Sequence, residues 1–64
     1  MSPEAIYNMF CKEFPNAASQ VTRWFGRKKR PGDTYEKGSI RLVMKTGKTL
    51  IFGVHGDGSW SLSQ

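Results

Sequence analysis

Ile6, Phe10 and Phe14 recur at every fourth position, with Tyr7, Met9 and Cys11 flanking the stripe and Glu4, Asn8 and Lys12 opposite it. That spacing puts one face of a helix into a core and leaves the other in water. Ser2-Pro3-Glu4 marks the start. The serine can cap free backbone N–H groups, the proline tolerates the first helical position, and the glutamate favours the positive end of the dipole. Pro15 would remove a donor and clash one turn back, so a helix is predicted over about residues 3–14.

The C-terminal third changes period. Ile40, Leu42 and Met44 alternate with Arg41, Val43 and Lys45, and Leu50, Phe52 and Val54 alternate with Thr49, Ile51, Gly53 and His55. Thr46-Gly47 and Asp57-Gly58 punctuate the pattern as hairpin turns, the second read as type I′ with positive φ at both residues. A last short strand places Trp60 and Leu62 inward and Ser59, Ser61 and Ser63 outward. A β-meander over residues 40–63 follows, its apolar face meeting Ile6, Phe10 and Phe14.

Between these segments the pattern is less decisive. Over about residues 17–26 two readings compete. As a helix the segment would be capped by Asn16, would bury Val21, Trp24 and Phe25, and would end at Gly26. As a strand it draws on the β-branched and aromatic run Val21-Thr22-Arg23-Trp24-Phe25, and local propensity favours the strand. Residues 27–39, with Pro31-Gly32-Asp33 as a turn, read as an exposed, mobile basic loop. The expected fold class is α+β: one N-terminal amphipathic helix packed on a small antiparallel sheet, a three- or four-stranded meander, with residues 1–64 a single domain.

The chain has 64 residues, a size that buries only about 60% of the surface exposed on unfolding, so stability is expected to be marginal and homodimerisation through open sheet edges is one remedy. A single cysteine, Cys11, cannot close an internal disulfide, the N-terminal residues lack the pattern of a secretory leader, and no apolar run approaches a membrane span. The expected location is cytoplasmic, and no membrane partner is expected.

Charge changes the picture most. Ten Lys and Arg against five Asp and Glu give a formal net charge of +5, which suits an acidic partner. Arg23, Arg27, Lys28, Lys29 and Arg30 put half of the cations into eight positions, and Lys37, Arg41, Lys45 and Lys48 form a second set around the sheet. If the loop folds back along the sheet, the two sets merge into one phosphate-binding surface. Tyr35 in the loop, with Trp24 and Phe25 beside the run, offers stacking to bases, although strand aromatics are more often core. A four-residue basic run is also commonly just a solvated loop. Arg27-Lys28-Lys29-Arg30 has the composition of a nuclear import signal, a weak match at that length.

Other chemistries find little support. His55 and Asp57 supply too few ligands for a metal site and are better explained as turn residues. Cys11, among Tyr7, Phe10 and Phe14, is expected to be buried and inert. The carboxylates are scattered, no Gly-rich phosphate loop precedes a helix, and no cofactor is expected. The helix lacks the basic polar face of a membrane-surface element. The expectation is a small non-enzymatic binding module that contacts nucleic acid, DNA or RNA, through phosphate-directed Lys and Arg. The rival is a stand-alone protein–protein module, an inhibitor or adaptor that meets an acidic protein surface.

Overall fold

The computed structural model describes all 64 residues and has the order α1 (Pro3–Glu13), α2 (Pro15–Ala18), β1 (Val21–Gly26), β2 (Gly38–Met44), β3 (Thr49–Val54) and β4 (Trp60–Ser63). Helix α1 starts as its sequence requires: the Ser2 hydroxyl accepts from the Ala5 N–H at 3.2 Å and Pro3 occupies the first turn. It stops because Pro15 pushes the preceding residue out of the helical region. Phe14 sits at φ −131°, ψ 65°, its N–H still bonded to the Phe10 carbonyl. Pro15 then opens the single turn α2.

The four strands form one antiparallel sheet in sequential order, so the fold is α+β with a four-stranded meander. Residues 17–26 are neither all helix nor all strand: a helical turn ends at Ala18 and β1 begins at Val21. Strand β2 starts two residues earlier than the hydrophobic alternation suggests, at Gly38, which shortens the basic loop to residues 27–37.

Register assigns the faces. Trp24 pairs with Leu42, Gly26 with Ile40, Leu42 with Leu50, Ile40 with Phe52, and Phe52 with Leu62, all on the face covered by α1. Ile6, Phe10, Ile40, Leu42, Phe52 and Val54 form the buried core. The Phe10 ring meets Phe52 edge-on at 5.4 Å, Phe14 meets Trp60 edge-on at 5.1 Å, and Tyr7 stacks on Trp24 at 4.7 Å. Such aromatic pairs add about 0.5–1.5 kcal/mol each beyond their buried area, a useful increment for so small a core. A Cβ on Gly26 would stand 3.0 Å from the Pro3 ring, so a small residue at the end of β1 lets the start of α1 approach the sheet.

Both hairpins close through three-residue loops with one left-handed glycine, Gly47 (φ 88°) and Gly58 (φ 92°). The second therefore differs from the expected type I′ turn. Asp57 keeps a negative φ, and only Gly58 supplies the left-handed step. Asp57 acts through its side chain instead, accepting from the Ser59 N–H at 3.0 Å and the Ser59 hydroxyl at 2.6 Å. These bonds hold its carboxyl below the ordinary value.

Candidate functional site

The sheet face away from α1 is built from three cross-strand rows. Arg27 opposes Ser39, which pairs with Gly53 and then Ser61; Phe25 pairs with Arg41, then Ile51 and Ser63; Arg23 pairs with Val43, then Thr49. Every cation in these rows lies on β1, β2 or the loop that joins them. The β3–β4 half of the face carries only uncharged residues in the same rows, so the surface is divided into a basic corner and a neutral flank.

At the basic corner lies a shallow cleft of about 290 Å³, lined by Phe25, Gly26, Arg27, Lys28, Arg30 and Arg41. Four of the six lining residues are cationic and none is a carboxylate. The loop turns back over the sheet because Arg30-Pro31-Gly32-Asp33 forms a β-turn, with the Asp33 N–H bonded to the Arg30 carbonyl at 3.0 Å and Gly32 at φ 81°. That is the geometry of a type II turn, for which proline followed by glycine is the favoured pair.

Arg27 fastens this arrangement. Its Nη1 donates to the Ser39 hydroxyl at 2.8 Å and stands 4.0 Å from Asp33 Oδ2, and its backbone N–H bonds the Ser39 carbonyl at 3.0 Å. Asp33 in turn accepts from the Tyr35 N–H at 3.1 Å. The Arg27 and Asp33 side chains are only 18% and 10% exposed, so the loop is not the exposed tether its composition suggests. Its charged tip, Lys28 to Arg30, is exposed, but its base is packed.

Tyr35 belongs to that packed base. Its ring lies directly on Gly53, where a Cβ would overlap it, and 5.3 Å from the His55 ring. The Thr34 carbonyl can only accept, so His55 Nδ1 carries the proton in their 3.1 Å bond, and in the neutral ring Nε2 accepts from the Ser61 hydroxyl at 2.7 Å. His55 thus ties the loop to β4. No three His, Cys, Asp or Glu side chains come together. Cys11 is half-buried beside Tyr7, whose hydroxyl is held above the usual tyrosine value by Cys11 first and by desolvation second.

The expected site residues therefore separate. Arg27, Lys28, Arg30 and Arg41 converge on the cleft, and Arg23 stands beside it with its guanidinium 5.6 Å from the Phe25 ring centre. Lys29 is exposed on the loop without lining the cleft. Lys37 precedes β2 near the N-terminus, with its carbonyl 3.4 Å from the Met1 amino group. Lys45 and Lys48 lie in the β2–β3 turn at the opposite end of the sheet, four residues or roughly 13 Å beyond Arg41. Of the second basic set only Arg41 joins the first at the cleft. Tyr35 packs against Gly53 and is absent from the cleft lining.

Of the two aromatics that the sequence left undecided between core and surface, Phe25 reaches the surface, 48% exposed, while its neighbour Trp24 is packed against the core. Asp33 and Ser39, which position Arg27, carry no signal in sequence beyond a turn and the end of a loop. The chain matches no family model, no curated protein and no solved structure.

Proposed function

We propose that this protein is a non-enzymatic nucleic-acid-binding module that grips backbone phosphates at the basic corner of its open sheet face. The observation that carries this reading is the cleft itself, in which three arginines and a lysine converge with no carboxylate in its lining. Arginine presents a planar fork of donors matched to phosphate oxygens, and neutralising a phosphate releases condensed counterions. Arg23 extends the cationic surface along β1. Asp33 offsets part of the Arg27 charge, which leaves Lys28, Arg30 and Arg41 as the phosphate-directed groups and Arg27 as both a lining cation and the tie that shapes the cleft.

The test is a fluorescence-anisotropy titration of the whole chain against labelled single- and double-stranded DNA and RNA at about 50 mM and about 200 mM salt. Three phosphate contacts predict an affinity loss of roughly 20-fold on a single strand, or roughly 40-fold on a duplex, across that salt interval. Absence of binding to every form at the lower salt overturns the reading. Equal binding to polyglutamate would overturn it too and transfer the cluster to an acidic protein surface.

A further inference from the structure

We infer that the site takes a single strand, with one unpaired base stacked on Phe25 and a flanking phosphate seated in the adjoining cleft; the inference rests on the nucleic-acid reading above. Phe25 and Trp24 are consecutive aromatics on the same strand that meet opposite fates. Trp24 faces α1 and stacks on Tyr7, so the core accounts for it. Phe25 faces away, 48% exposed, and packs in neither the buried core nor its half-buried margin. Met1 and Trp60 are the other exposed large apolar side chains, and Trp60, less open than Phe25, contacts Phe14 and Phe52.

What surrounds Phe25 is cationic. Arg23 lies two residues earlier on the same face with its guanidinium 5.6 Å from the ring centre, Arg41 is the cross-strand partner, and Arg27 follows two residues later. The ring itself forms part of the cleft wall. A hydrophobic ring set among guanidinium groups suits a ligand that is flat and apolar at one point and anionic at the next. A nucleotide within a strand has that alternation. Every base presents a π-face, so stacking on a single ring is tolerant of sequence.

Strand form follows from access to that face. In a duplex each base is covered above and below by its neighbours, and a ring on a sheet surface meets only the phosphate–sugar exterior unless a base step is opened. In a single strand the base turns outward and stacks at no such cost. The cleft, at about 290 Å³, sits at the low end of the size of small-molecule pockets, about 300–1,000 Å³. The cations that line the cleft come from β2 and the β1–β2 loop alone, so the footprint is short, about four nucleotides, at the low end of the range for such platforms.

The experiment uses the full chain and a mixed-sequence labelled oligonucleotide of about twelve nucleotides, as DNA and as RNA, offered single or annealed to its complement, with a free mononucleotide as competitor. The single strand is expected to bind about ten-fold tighter than the duplex. Phe25→Ala is expected to weaken single-strand binding roughly 5- to 150-fold and to leave duplex binding within about two-fold. Phe25→Trp retains the stacking face, is expected to bind at least as well as the parent, and decides the matter if the alanine variant melts early. Duplex binding equal to single-strand binding, with Phe25→Ala changing neither, overturns this inference and leaves the nucleic-acid reading standing. A mononucleotide that competes as well, per nucleotide, as the strand overturns the strand assignment in favour of a free nucleotide. Binding to none of these probes overturns the nucleic-acid reading itself.

Discussion

Arg27 is the residue at which composition and environment diverge most. In the sequence it is the first of four consecutive cations, with nothing to set it apart from Lys28, Lys29 or Arg30. In the fold it is half-buried, bonded to a Ser39 side chain in a buried residue, and close to a carboxylate only 10% exposed. Removing it leaves those partners unsatisfied, a loss of about 1–3 kcal/mol. Arg27→Ala is therefore expected to lower the urea midpoint clearly, whereas Lys28→Ala, Lys29→Ala and Arg30→Ala each stay within about 0.5 kcal/mol of the parent. Equal effects at all four positions would refute the clamp. For the same reason Lys28, Arg30 and Arg41 are the clean positions for a binding test. In the core, Phe10→Ala or Phe52→Ala is expected to cost about 3–5 kcal/mol, which is comparable to the whole stability of a chain this size, about 3–10 kcal/mol, and equilibrium melting will show it.

At the scale of elements, turns and loop ties decide how the surface is presented. The Asp57 carboxylate organises the β3–β4 turn through Ser59, whose hydroxyl and N–H bonds hold the carboxyl below the ordinary aspartate value. A carboxyl whose pKa is lower in the folded state stabilises the fold fully above the unfolded value and loses that contribution as pH falls through the folded one. The turn is thus expected to loosen on acidification below the ordinary aspartate range, seen as a lower amide-exchange protection factor at Ser59, and Asp57→Asn should remove that pH dependence. Across the sheet, Tyr35 rests on Gly53. Gly53→Val drives a side chain into the ring and is expected to cost about 1–3 kcal/mol and to expose the tyrosine to quencher. In a Tyr35→Ala background the same substitution should cost much less, and a coupling energy near zero would show that the ring does not depend on the glycine.

Over the whole molecule, charge is partitioned rather than spread. Arg41 and Lys45 lie on one continuous stretch of chain, yet Lys45 turns over with Lys48 at the far end of the sheet, four residues or roughly 13 Å of strand beyond Arg41. That exceeds the screening length of about 8 Å at physiological salt. Neutralising Lys45 and Lys48 together is expected to change oligonucleotide affinity less than two-fold at about 150 mM salt, whereas neutralising Arg30 and Arg41 should lower it at least ten-fold and flatten the salt dependence. Equal losses from the two pairs would replace the cleft with a diffuse basic surface.

The helix and the meander were legible in the residues because their signals are local. A stripe at every fourth position, a capping serine before a proline, strict alternation over Ile40 to Val54, and glycine at each hairpin all act within a few residues of chain. The same was true of the inward assignment of Ile6, Phe10, Leu42 and Phe52. What lay beyond local reading was which face of β1 each aromatic takes. A register shift between Val21 and Arg23 interrupts the alternation, and only pairing with β2 sends Trp24 inward beside Leu42 and Phe25 outward beside Arg41. The fate of the basic run was hidden for a related reason. Arg27 finds Ser39 twelve residues away, and Tyr35 finds Gly53 across the sheet, so the chain's contacts at a distance separate a structural cation from the free ones and draw Arg41 into the same cleft. Charge and composition are properties of the chain, but the convergence of charges depends on strand register and on a turn that folds the loop back.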